Sequence, residues 1–471
     1  MSSSLKIPPP LRAVLEAVRE VGRPRLAGGC VRDWLLGFTP KDFDIEVQGL
    51  DFDQLHAVLA PFGSTDIVGR SFGVIKLRLG SLEYDFSLPR RESKTGNGHR
   101  GFAVTPDPLL SDADAAARRD FTINSITADP FTGELFDPHG GQRDLRDRVL
   151  RHTSPAFSED PLRVLRAFQF AARFDLTLAP ETASLCRSMV NTYAELPVER
   201  VWGEWNKWAT QSARPSRGLA VLEETGWLVH FPEIAALRGC PQDPDWHPEG
   251  DVFTHTQHCC DALVKLPEWH NADAGRRRLL LFAVLAHDFG KPSTTAQSEV
   301  RGRLRWRSLG HEAAGGPIAD AFLARIGSPH ALIEAVNPLV VLHLAHHHGN
   351  GEFSDSHIRR LARKLHPATI DDLCAVMSAD NLGRPPLESP ESLALIEKLR
   401  SRAQHLSIRI HPPRPLLLGR HLIALGLKPS PHFTSVLAAA FEAQLDGAFA
   451  DEETGLMWLR NYLQLNAPPQ P

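Results

Sequence analysis

The chain has 471 residues, 42% apolar and 23% charged, which is typical of a soluble globular protein with two to four domains. It contains no apolar stretch near the ~18–20 residues of a membrane span, and its first ten residues have the pattern of neither a signal nor a transit peptide. The six cysteines show no disulfide-framework spacing. We therefore expect a cytoplasmic protein without membrane contact. Because the formal net charge is −4, any nucleic-acid surface must be local.

The first predicted elements are a glycine turn, a short helix, and a strand that opens with two carboxylates. Gly28 and Gly29 let backbone N–H groups approach a phosphate closely. Asp42 and Asp44 project to one face because residues two apart on a strand do so. Mg²⁺ is the cation that best relieves their repulsion while also binding substrate phosphates. The combination favours metal-assisted phosphoryl or nucleotidyl transfer, although each part alone could be an ordinary turn or strand end.

The residues up to about 150 mix strands and helix. The predicted strands are Ile45–Val47, Val74–Leu79 and Leu82–Phe86. Residues 51–60 form a predicted amphipathic helix, and the basic, glycine-rich stretch Arg90–Gly101 is a predicted mobile loop. Asp85, on the strand beside that loop, is a candidate third carboxylate at the metal.

The next motif runs from Arg118 to Ser125. The guanidiniums of Arg118 and Arg119 can hold a triphosphate, and Asp120 could orient either of them. Asn124 can bond a ribose hydroxyl or a phosphate. The alternative is an ordinary N-capped helix, but so many polar groups exceed what a cap requires.

From about residue 155 onward the pattern predicts helices almost throughout. Ser158 is a predicted N-cap, followed by Glu159 and Asp160 in a helix that also carries Arg163. Residues 143–173 contain seven arginines and no lysine, which favours bidentate contacts to phosphates or bases over a diffuse charge; a solvated, salt-bridged helix face is the alternative. These arginines are Arg143, Arg146, Arg148, Arg151, Arg163, Arg166 and Arg173. Glu199–Glu204 is a predicted brace for this helix, and Cys240–Gly250 a predicted linker.

The carboxyl-terminal half contains a second constellation of polar residues. Imidazoles and carboxylates from separate predicted helices suit a divalent metal ion. The residues concerned are His255, His287, Asp288, His311 and Asp380. The histidines at 343, 346, 347 and 348 could add ligands, but we predict that they mark an exposed helix end.

Residues Gly28 to Asp44 match every specified position of the motif GGxVRDxLLGxxPxDxD. In this the chain resembles the class II tRNA nucleotidyltransferases, which are the CCA-adding enzymes and bacterial poly(A) polymerases of the DNA polymerase β superfamily. Arg118 to Asn124 is similar to their second motif. The resemblance implies an α+β fold, with a polymerase β-type nucleotidyltransferase head followed by an all-α neck, HD domain and tail. The implied boundaries are 1–150, 151–240, 241–385 and 386–471.

The same resemblance implies roles for the site residues. Asp42 and Asp44 would hold two Mg²⁺ ions, while Asp160 and Arg163 would choose the base. The remaining nucleotide-binding residues implied are Gly28, Gly29, Arg32, Asp33, Arg119, Asp120, Asn124 and Arg166. Cytosine and adenine each present an amine beside a bare ring nitrogen, which a carboxylate and a guanidinium can bind; uracil and guanine present the opposite pattern. The chain departs from the family at Gln169, where members often have arginine.

His255, His287, Asp288 and Asp380 resemble the H…HD…D ligands of the HD phosphohydrolase superfamily, which implies a divalent metal there and hydrolysis of phosphate esters at RNA ends. The predicted function is addition of CCA to the 3′ end of tRNA from CTP and ATP. Alternatives left open are a poly(A) polymerase, an enzyme adding only CC or only A, a protein acting mainly as an HD phosphohydrolase, and a non-catalytic RNA-binding scaffold. The sequence leaves the oligomeric state open.

Overall fold

The computed structural model describes residues 5–40, 42–66, 73–94, 102–347 and 352–466, without side chains at 91–94, 102–104 and 106. The chain divides into two compact units, Met1–His230 and Phe231–Pro471. The predicted boundaries at 150, 240 and 385 stay predictions. In the described part of the chain, no helix combines the length and apolarity needed to cross a membrane.

The described residues of the first unit contain eleven strands, and seven of these strands lie in one sheet. The eleven strands are β1 (Arg23–Ala27), β2 (Asp44–Gln48), β3 (Ser64–Asp66), β4 (Val74–Leu79), β5 (Leu82–Ser87), β6 (Arg90–Lys94), β7 (Phe102–Pro106), β8 (Thr127–Ala128), β9 (Leu135–Phe136), β10 (Val149–Leu150) and β11 (Thr177–Leu178). Seven of them form a sheet in the order β3-β4-β5-β2-β1-β8-β9. β2 and β5 are parallel, and their register places Asp44 opposite Asp85. The alternation of β2 buries Ile45 and Val47, so Asp44 lies on the opposite face.

The helices of the first unit cover the sheet region and continue beyond it. They are α1 (Pro9–Arg19), α2 (Gly29–Leu35), α3 (Phe52–Leu59), α4 (Asp112–Ala117), α5 (Thr122–Ser125), α6 (Gly141–Arg146), α7 (Leu162–Phe174), α8 (Pro180–Ser188), α9 (Val198–Gln211) and α10 (Pro215–Glu224). Phe168 on α7 packs on Trp205 and Trp208 of α9, with ring centroids 4.6 and 5.6 Å apart. These buried aromatic contacts hold α7 firmly in place.

The described residues of the second unit form helices apart from one hairpin. Its helices are α11 (Pro232–Ala235), α12 (Val252–Leu263), α13 (Pro267–His270), α14 (Ala274–Ala286), α15 (Lys291–Thr294), α16 (His311–Arg325), α17 (His330–Leu342), α18 (Asp355–Leu365), α19 (Ile370–Leu382), α20 (Pro390–His405), α21 (Gly419–Ala424), α22 (His432–Asp446) and α23 (Glu452–Leu465). Every residue from Leu280 to Ala286 on α14 is buried, so this helix lies at the centre of the unit.

The hairpin corrects the prediction of helices throughout the second half. It pairs β12 (Thr295–Val300) with β13 (Arg303–Ser308) in antiparallel register. Arg301 and Gly302 form the two-residue turn with φ of 51° and 75°. Positive φ at both positions is the geometry of the tight turns that match strand twist, but Arg-Gly is a weaker sequence signal than Asn-Gly.

The strands and helix predicted before residue 90 are confirmed to within two residues at each end. The loop prediction for Arg90–Gly101 is wrong for its first part, because Arg90–Lys94 pairs with Phe102–Pro106 as a strand. Residues 95–101 lie outside the described residues.

Candidate functional site

The glycine turn brings the backbone close to charged side chains. Gly28 has φ of 69° and immediately precedes α2. A Cβ atom there would lie 3.0 Å from Nη1 of Arg119 and 3.4 Å from Oδ2 of Asp44. The positive φ therefore favours glycine, and a side chain at this position would also have to displace the tip of Arg119.

The two predicted metal carboxylates lie at the start of β2, although only one belongs to the strand. The pairing of β1 with β2 ends at Ala27 and Asp44, because the chain turns away at Gly28. Asp42 consequently has no strand partner and lies in the bend before β2, which corrects the prediction that both aspartates open the strand.

Asp44 is surrounded by other carboxylates. Desolvation raises the pKa of Asp44, the neighbouring charges of Asp85 and Asp42 raise it further, and Arg119 opposes the rise. Lys76 is the nearest cation to Asp85, with 3.3 Å between Nζ and Oδ1. A concentration of anions that resists ionisation is the environment that a divalent cation relieves, so the residues present fit Mg²⁺.

Sequence reasoning missed Glu46 at this site. It lies two residues after Asp44 on the same face of β2 and accepts an ion pair from Arg119 at 3.4 Å. The two-residue alternation that connected Asp42 with Asp44 extends to this position and could have found it.

A cavity of about 500 Å³ opens beside this edge of the sheet, and eight basic but only three acidic side chains line it. The basic residues are Arg32, Arg118, Arg119, Arg163, Arg166, Arg173, Arg200 and Lys207, and the acidic ones are Asp44, Asp120 and Asp160. Gly28, Gly29, Asn124 and Gln169 also line it. The excess of guanidinium groups suits a polyphosphate.

Three arginines of the 143–173 segment, Arg163, Arg166 and Arg173, thus reach this cavity. Arg148 instead donates to the carbonyl of Phe174, and Arg151 pairs with Asp144 at 3.1 Å.

Arg32, which lines the cavity, is buried and pairs with the partly buried Asp33. Arg32 donates to Oδ1 of Asp33 at 2.6 Å and to Oδ1 of Asn124 at 2.6 Å. Its guanidinium also lies 4.4 Å from the ring centroid of Phe174. Asp33 therefore fixes the orientation of the Arg32 guanidinium.

Asp120 connects the second motif to α7. Its carboxylate accepts hydrogen bonds from Asn124 Nδ2 at 3.0 Å and from Arg166 Nε at 2.7 Å. Although desolvation raises the pKa of Asp120, Arg166 and Asn124 outweigh it and the net shift is downward. The predicted partner was Arg118 or Arg119, so that prediction is wrong: the partner comes from a helix distant in sequence.

Asp160 and Arg163 both line the cavity, but they do not share a helix face. Asp160 lies in extended conformation two residues before α7 and accepts from the backbone N–H of Leu162 at 3.1 Å. Asp160 therefore caps the helix, whereas Ser158 was the predicted cap and instead belongs to a short 3₁₀ turn, Pro155–Glu159. Pro161 precedes the helix and leaves Leu162 as its first donor.

The partners of these two residues are also distinct. Arg200 of α9 donates to Asp160 at 2.9 Å between Nη2 and Oδ2. Arg163 donates to the carbonyls of Ala156 at 2.7 Å and Arg118 at 2.9 Å. Sequence reasoning did not assign Arg200 to the site, because it lies in Glu199–Glu204, which was predicted to be mainly a structural brace. Gln169 of α7 is buried, and its Nε2 has no hydrogen-bond partner among the described residues.

The second unit brings the predicted metal ligands of the carboxyl-terminal half close together. His255 Nε2 lies 3.1 Å from Oδ1 of Asp380, and His287 Nε2 lies 3.2 Å from Oδ2 of Asp288. His311 Nε2 lies 3.3 Å from Oδ1 of Asp288. Within the described residues, the groups of three or more possible metal ligands within 4.8 Å of one another all belong to this unit.

His343 and His346 are buried, which corrects their prediction as an exposed helix end; His347 is exposed, and His348 lies outside the described residues. Desolvation and the charges of His287 and His311 lower the pKa of His343 to about 3. A neutral imidazole at this position can act as a metal ligand. The predicted linker also contributes, because Glu249 accepts from Nδ1 of His255 at 2.8 Å.

Gly290 lies just after α14 and packs closely against His311 at the start of α16. A Cβ atom there would lie 2.0 Å from the carbonyl oxygen of His311. We therefore expect Gly290→Ala to destabilise the second unit by about 3 kcal/mol through overpacking. Urea unfolding measures this, with Gly419→Ala as the control because its Cβ would meet Phe433 only at 3.9 Å. Equal unfolding midpoints for Gly290→Ala and the wild type would contradict the packing described.

The sheet, its carboxylates and the basic cavity define a polymerase-type nucleotidyltransferase. The sequence model of the poly A polymerase head domain matches residues 24–151, and that of the "Probable RNA and SrmB-binding site of polymerase A" matches residues 175–237. A multifunctional CCA protein of Xanthomonas campestris pv. campestris is 37% identical over 429 residues, covering 88% of this chain and 96% of that protein. One of Chromobacterium violaceum is 40% identical over 299 residues, covering 63% and 68%. The chain belongs to the multifunctional CCA protein family and is a tRNA nucleotidyltransferase.

Two solved structures share the fold of this chain. The CCA-adding enzyme of Bacillus stearothermophilus, solved in complex with CTP, has a TM-score of 0.66 at 20% identity over 98% of this chain and 99% of that one. The Thermotoga maritima CCA-adding enzyme, complexed with tRNA, has a TM-score of 0.60 at 19% identity over 97% and 96%. These likenesses confirm the predicted class of fold, and the matches do not favour the alternative functions.

Proposed function

We propose that the first unit adds C, C and A to the tRNA 3′ end from CTP and ATP, with Asp42 and Asp44 holding Mg²⁺. The observation that carries this proposal is that Asp44 lines a cavity rich in arginine and lies opposite Asp85 on the neighbouring strand. When bound, Mg²⁺ supplies charge stabilisation at the α-phosphate and favours ionisation of the attacking hydroxyl. The chain's own residues bind and orient the triphosphate: Gly28 through its close backbone approach, and Arg119 and Arg166 through their guanidiniums.

Base choice is proposed to rest on Asp160 and Arg163. The two hydrogen bonds of Arg163 to backbone carbonyls use two of its five N–H groups, so the others can donate to a ring nitrogen. Asp160 would exchange its ion pair with Arg200 for the exocyclic amine of cytosine or adenine. Uracil and guanine would place a carbonyl against the carboxylate, which is repulsive.

The test uses three tRNAs that end at the discriminator base, after C, and after CC. Each is supplied with labelled CTP, ATP, UTP or GTP. We expect CC and then a single A, and no product with UTP or GTP. Growth beyond CCA with ATP alone would indicate a poly(A) polymerase, and a ladder that stops at CC would indicate a partial enzyme.

Mg²⁺ is expected to change the stability of the first unit through Asp44. A carboxyl whose pKa is raised by folding stabilises the fold when protonated, and this contribution is lost as pH rises through the folded pKa. In a chelator at pH 7, Asp44→Asn should therefore unfold at a higher temperature than the wild type, with the difference shrinking as pH falls toward about 4. Mg²⁺ at 100 times its Kd should stabilise the wild type by about 2.7 kcal/mol more than the variant.

Thermal unfolding in chelator and in a Mg²⁺ titration measures both effects. Asp53→Asn, on the first turn of α3 and away from the cavity, is the control. An equal response of wild type and Asp44→Asn to Mg²⁺ would contradict the proposed metal site.

We infer a second activity for the second unit, hydrolysis of phosphate esters at RNA ends by a divalent metal held by His255, His287, Asp288 and Asp380. The observation that favours it is the burial of three of these four side chains around facing nitrogen and oxygen atoms. RNA ending in a 2′,3′-cyclic phosphate or a 3′-phosphate is the substrate for the assay. His287→Ala should abolish phosphate-ester hydrolysis and leave CCA addition unchanged; hydrolysis that survives in the variant would refute the assignment.

A further inference from the structure

Two tryptophans of the second unit line a cavity of about 220 Å³ and have no role in the functions proposed so far. Trp246 lies in Cys240–Gly250, the segment predicted to be a linker, and Trp306 lies on β13. Trp246 is 63% exposed, and Trp306 is partly buried. An exposed indole ring beside a cavity is typical of a binding surface rather than of a packed core.

The cavity has a buried floor and an exposed mouth. Asp288, His311 and His343 line it and are at most 7% exposed, so they form the floor. The tryptophans lie on the exposed side and form part of the mouth. A ligand whose phosphate reaches the floor would therefore place the rest of its structure against the two indole rings.

Ion pairs connect the two segments that carry the tryptophans. Arg305, the neighbour of Trp306 on β13, contacts Oδ1 of Asp243 through Nη1 at 3.2 Å and Oδ2 of Asp245 through Nη2 at 2.5 Å. The backbone N–H of Trp246 donates to the carbonyl of Asp243 at 3.0 Å. One guanidinium thus joins the hairpin to the turn that presents the other tryptophan, and both rings are held at the same mouth.

Two cations line the cavity together with the tryptophans. Lys291 Nζ donates to Oε1 of Gln242 at 2.8 Å and lies 2.7 Å from Oδ2 of Asp288. Arg384 donates through Nη2 to Oδ1 of Asn381 at 2.7 Å, while its buried Nε has no hydrogen-bond partner among the described residues. A phosphate oxygen is the kind of acceptor that would satisfy such a charged donor.

Aromatic faces and cations in one cavity suit a nucleotide. A base can stack on an indole ring, while its phosphate pairs with the guanidinium and ammonium groups. Stacking on a side chain requires a base that is free of a duplex, which is the case at a single-stranded end. Because the chain is a tRNA nucleotidyltransferase, an RNA 3′ end is the nucleotide that it meets as a polymer.

We propose that this cavity binds the last nucleotide of a single-stranded RNA 3′ end, with its base stacked on Trp246 and Trp306 and its terminal phosphate beside Arg384 and Lys291. This rests on the proposed phosphohydrolase function and names the part of the substrate that the site recognises. Since every base has a face that can stack, the cavity accepts ends of any sequence but rejects ends paired in a duplex.

The first experiment locates the base by cross-linking to the full chain in chelator, where the phosphate is not released. The probe is a short single-stranded RNA with 5-iodouridine as its last nucleotide and a 3′-phosphate. After ultraviolet irradiation, mass spectrometry should find the cross-link on the peptides that contain Trp246 or Trp306. The same strand paired to a blunt end should not cross-link there. Cross-links of the single strand that are confined to other peptides would overturn the proposal.

The second experiment measures phosphate release from an RNA 3′-phosphate. Trp306→Ala should raise KM about 10-fold or more and leave kcat within about twofold, because a stacked base contributes mainly to binding. Trp306→Phe keeps an aromatic ring and should restore a KM close to that of the wild type. An RNA whose last nucleotide lacks its base should give equal KM values for the wild type and Trp306→Ala.

Arg307→Ala is the matched control on the same strand. Arg307 is exposed, lies on the opposite face of β13 from Trp306, and does not line the cavity. Circular dichroism and CCA addition report that each variant is folded. A wild-type KM in Trp306→Ala, or an equal rise of KM on the RNA that lacks its last base, would overturn the proposal. Cross-links at the tryptophans without phosphate release by the wild type would instead refute only the phosphohydrolase activity.

Discussion

Replacement of Asp44 by alanine is expected to lower the rate of CMP and AMP incorporation about 10³-fold or more, which corresponds to ~4 kcal/mol of transition-state stabilisation. Asp44 lies within 3.4 Å of a Cβ built on Gly28, so its carboxylate faces the backbone that we assign to the triphosphate. Without it, the cation cannot be held between the strand and the α-phosphate. Single-turnover incorporation on a tRNA ending in CC measures the effect separately from product release.

The matched control for this variant is Asp53→Ala, which removes an aspartate from the same unit without touching the cavity. It should retain the wild-type rate within about twofold, since surface substitutions of this kind change little. If Asp44→Ala incorporates AMP at the wild-type rate, the proposed metal site is wrong.

Substitution of the base-choosing pair is expected to change which nucleotide is used. Asp160→Asn replaces an acceptor by a group that can donate to the carbonyl of uracil, so the preference for CTP over UTP should fall by about 10–100-fold. Arg163→Ala should weaken discrimination in the same sense and also lower overall activity, because its hydrogen bonds to Ala156 and Arg118 are lost. Competition between labelled CTP and UTP on the same tRNA gives the ratio directly.

Arg187→Ala provides the control for the arginine. Its guanidinium caps the carbonyl of Glu224 and lies outside the cavity, so selectivity should not change. An unaltered CTP to UTP ratio in Asp160→Asn would show that another group reads the base. Gln169, with its unpartnered Nε2 in the same cavity, would then be the next residue to test.

Local sequence patterns predicted most of the first unit because they act over a few residues. The alternation of Val74–Leu79 and the position of Gly28 each require only their own neighbours. The prediction that Asp42 lies on β2 together with Asp44 was wrong, since the end of a strand depends on where its partner turns away. The sequence of β2 alone does not contain that information.

Side-chain contacts between helices that are distant in sequence were not predicted. Asp120 binds Arg166, and Asp160 binds Arg200, over separations of 46 and 40 residues. His343 reads as one of several polar residues at a helix end, yet the fold buries it against His311. Such pairings follow from how helices pack, so only the three-dimensional arrangement reveals which charges meet.

The hydrogen bond from Arg163 to the carbonyl of Arg118 has a consequence for fidelity. The residue proposed to read the base is tied to the peptide next to Arg119, whose guanidinium lies beside Asp44. We therefore expect a wrongly shaped base that displaces Arg163 to disturb the position of Arg119 as well. Errors should be rejected through slower bond formation as well as through faster nucleotide release, so that selectivity persists even when a wrong nucleotide saturates the enzyme.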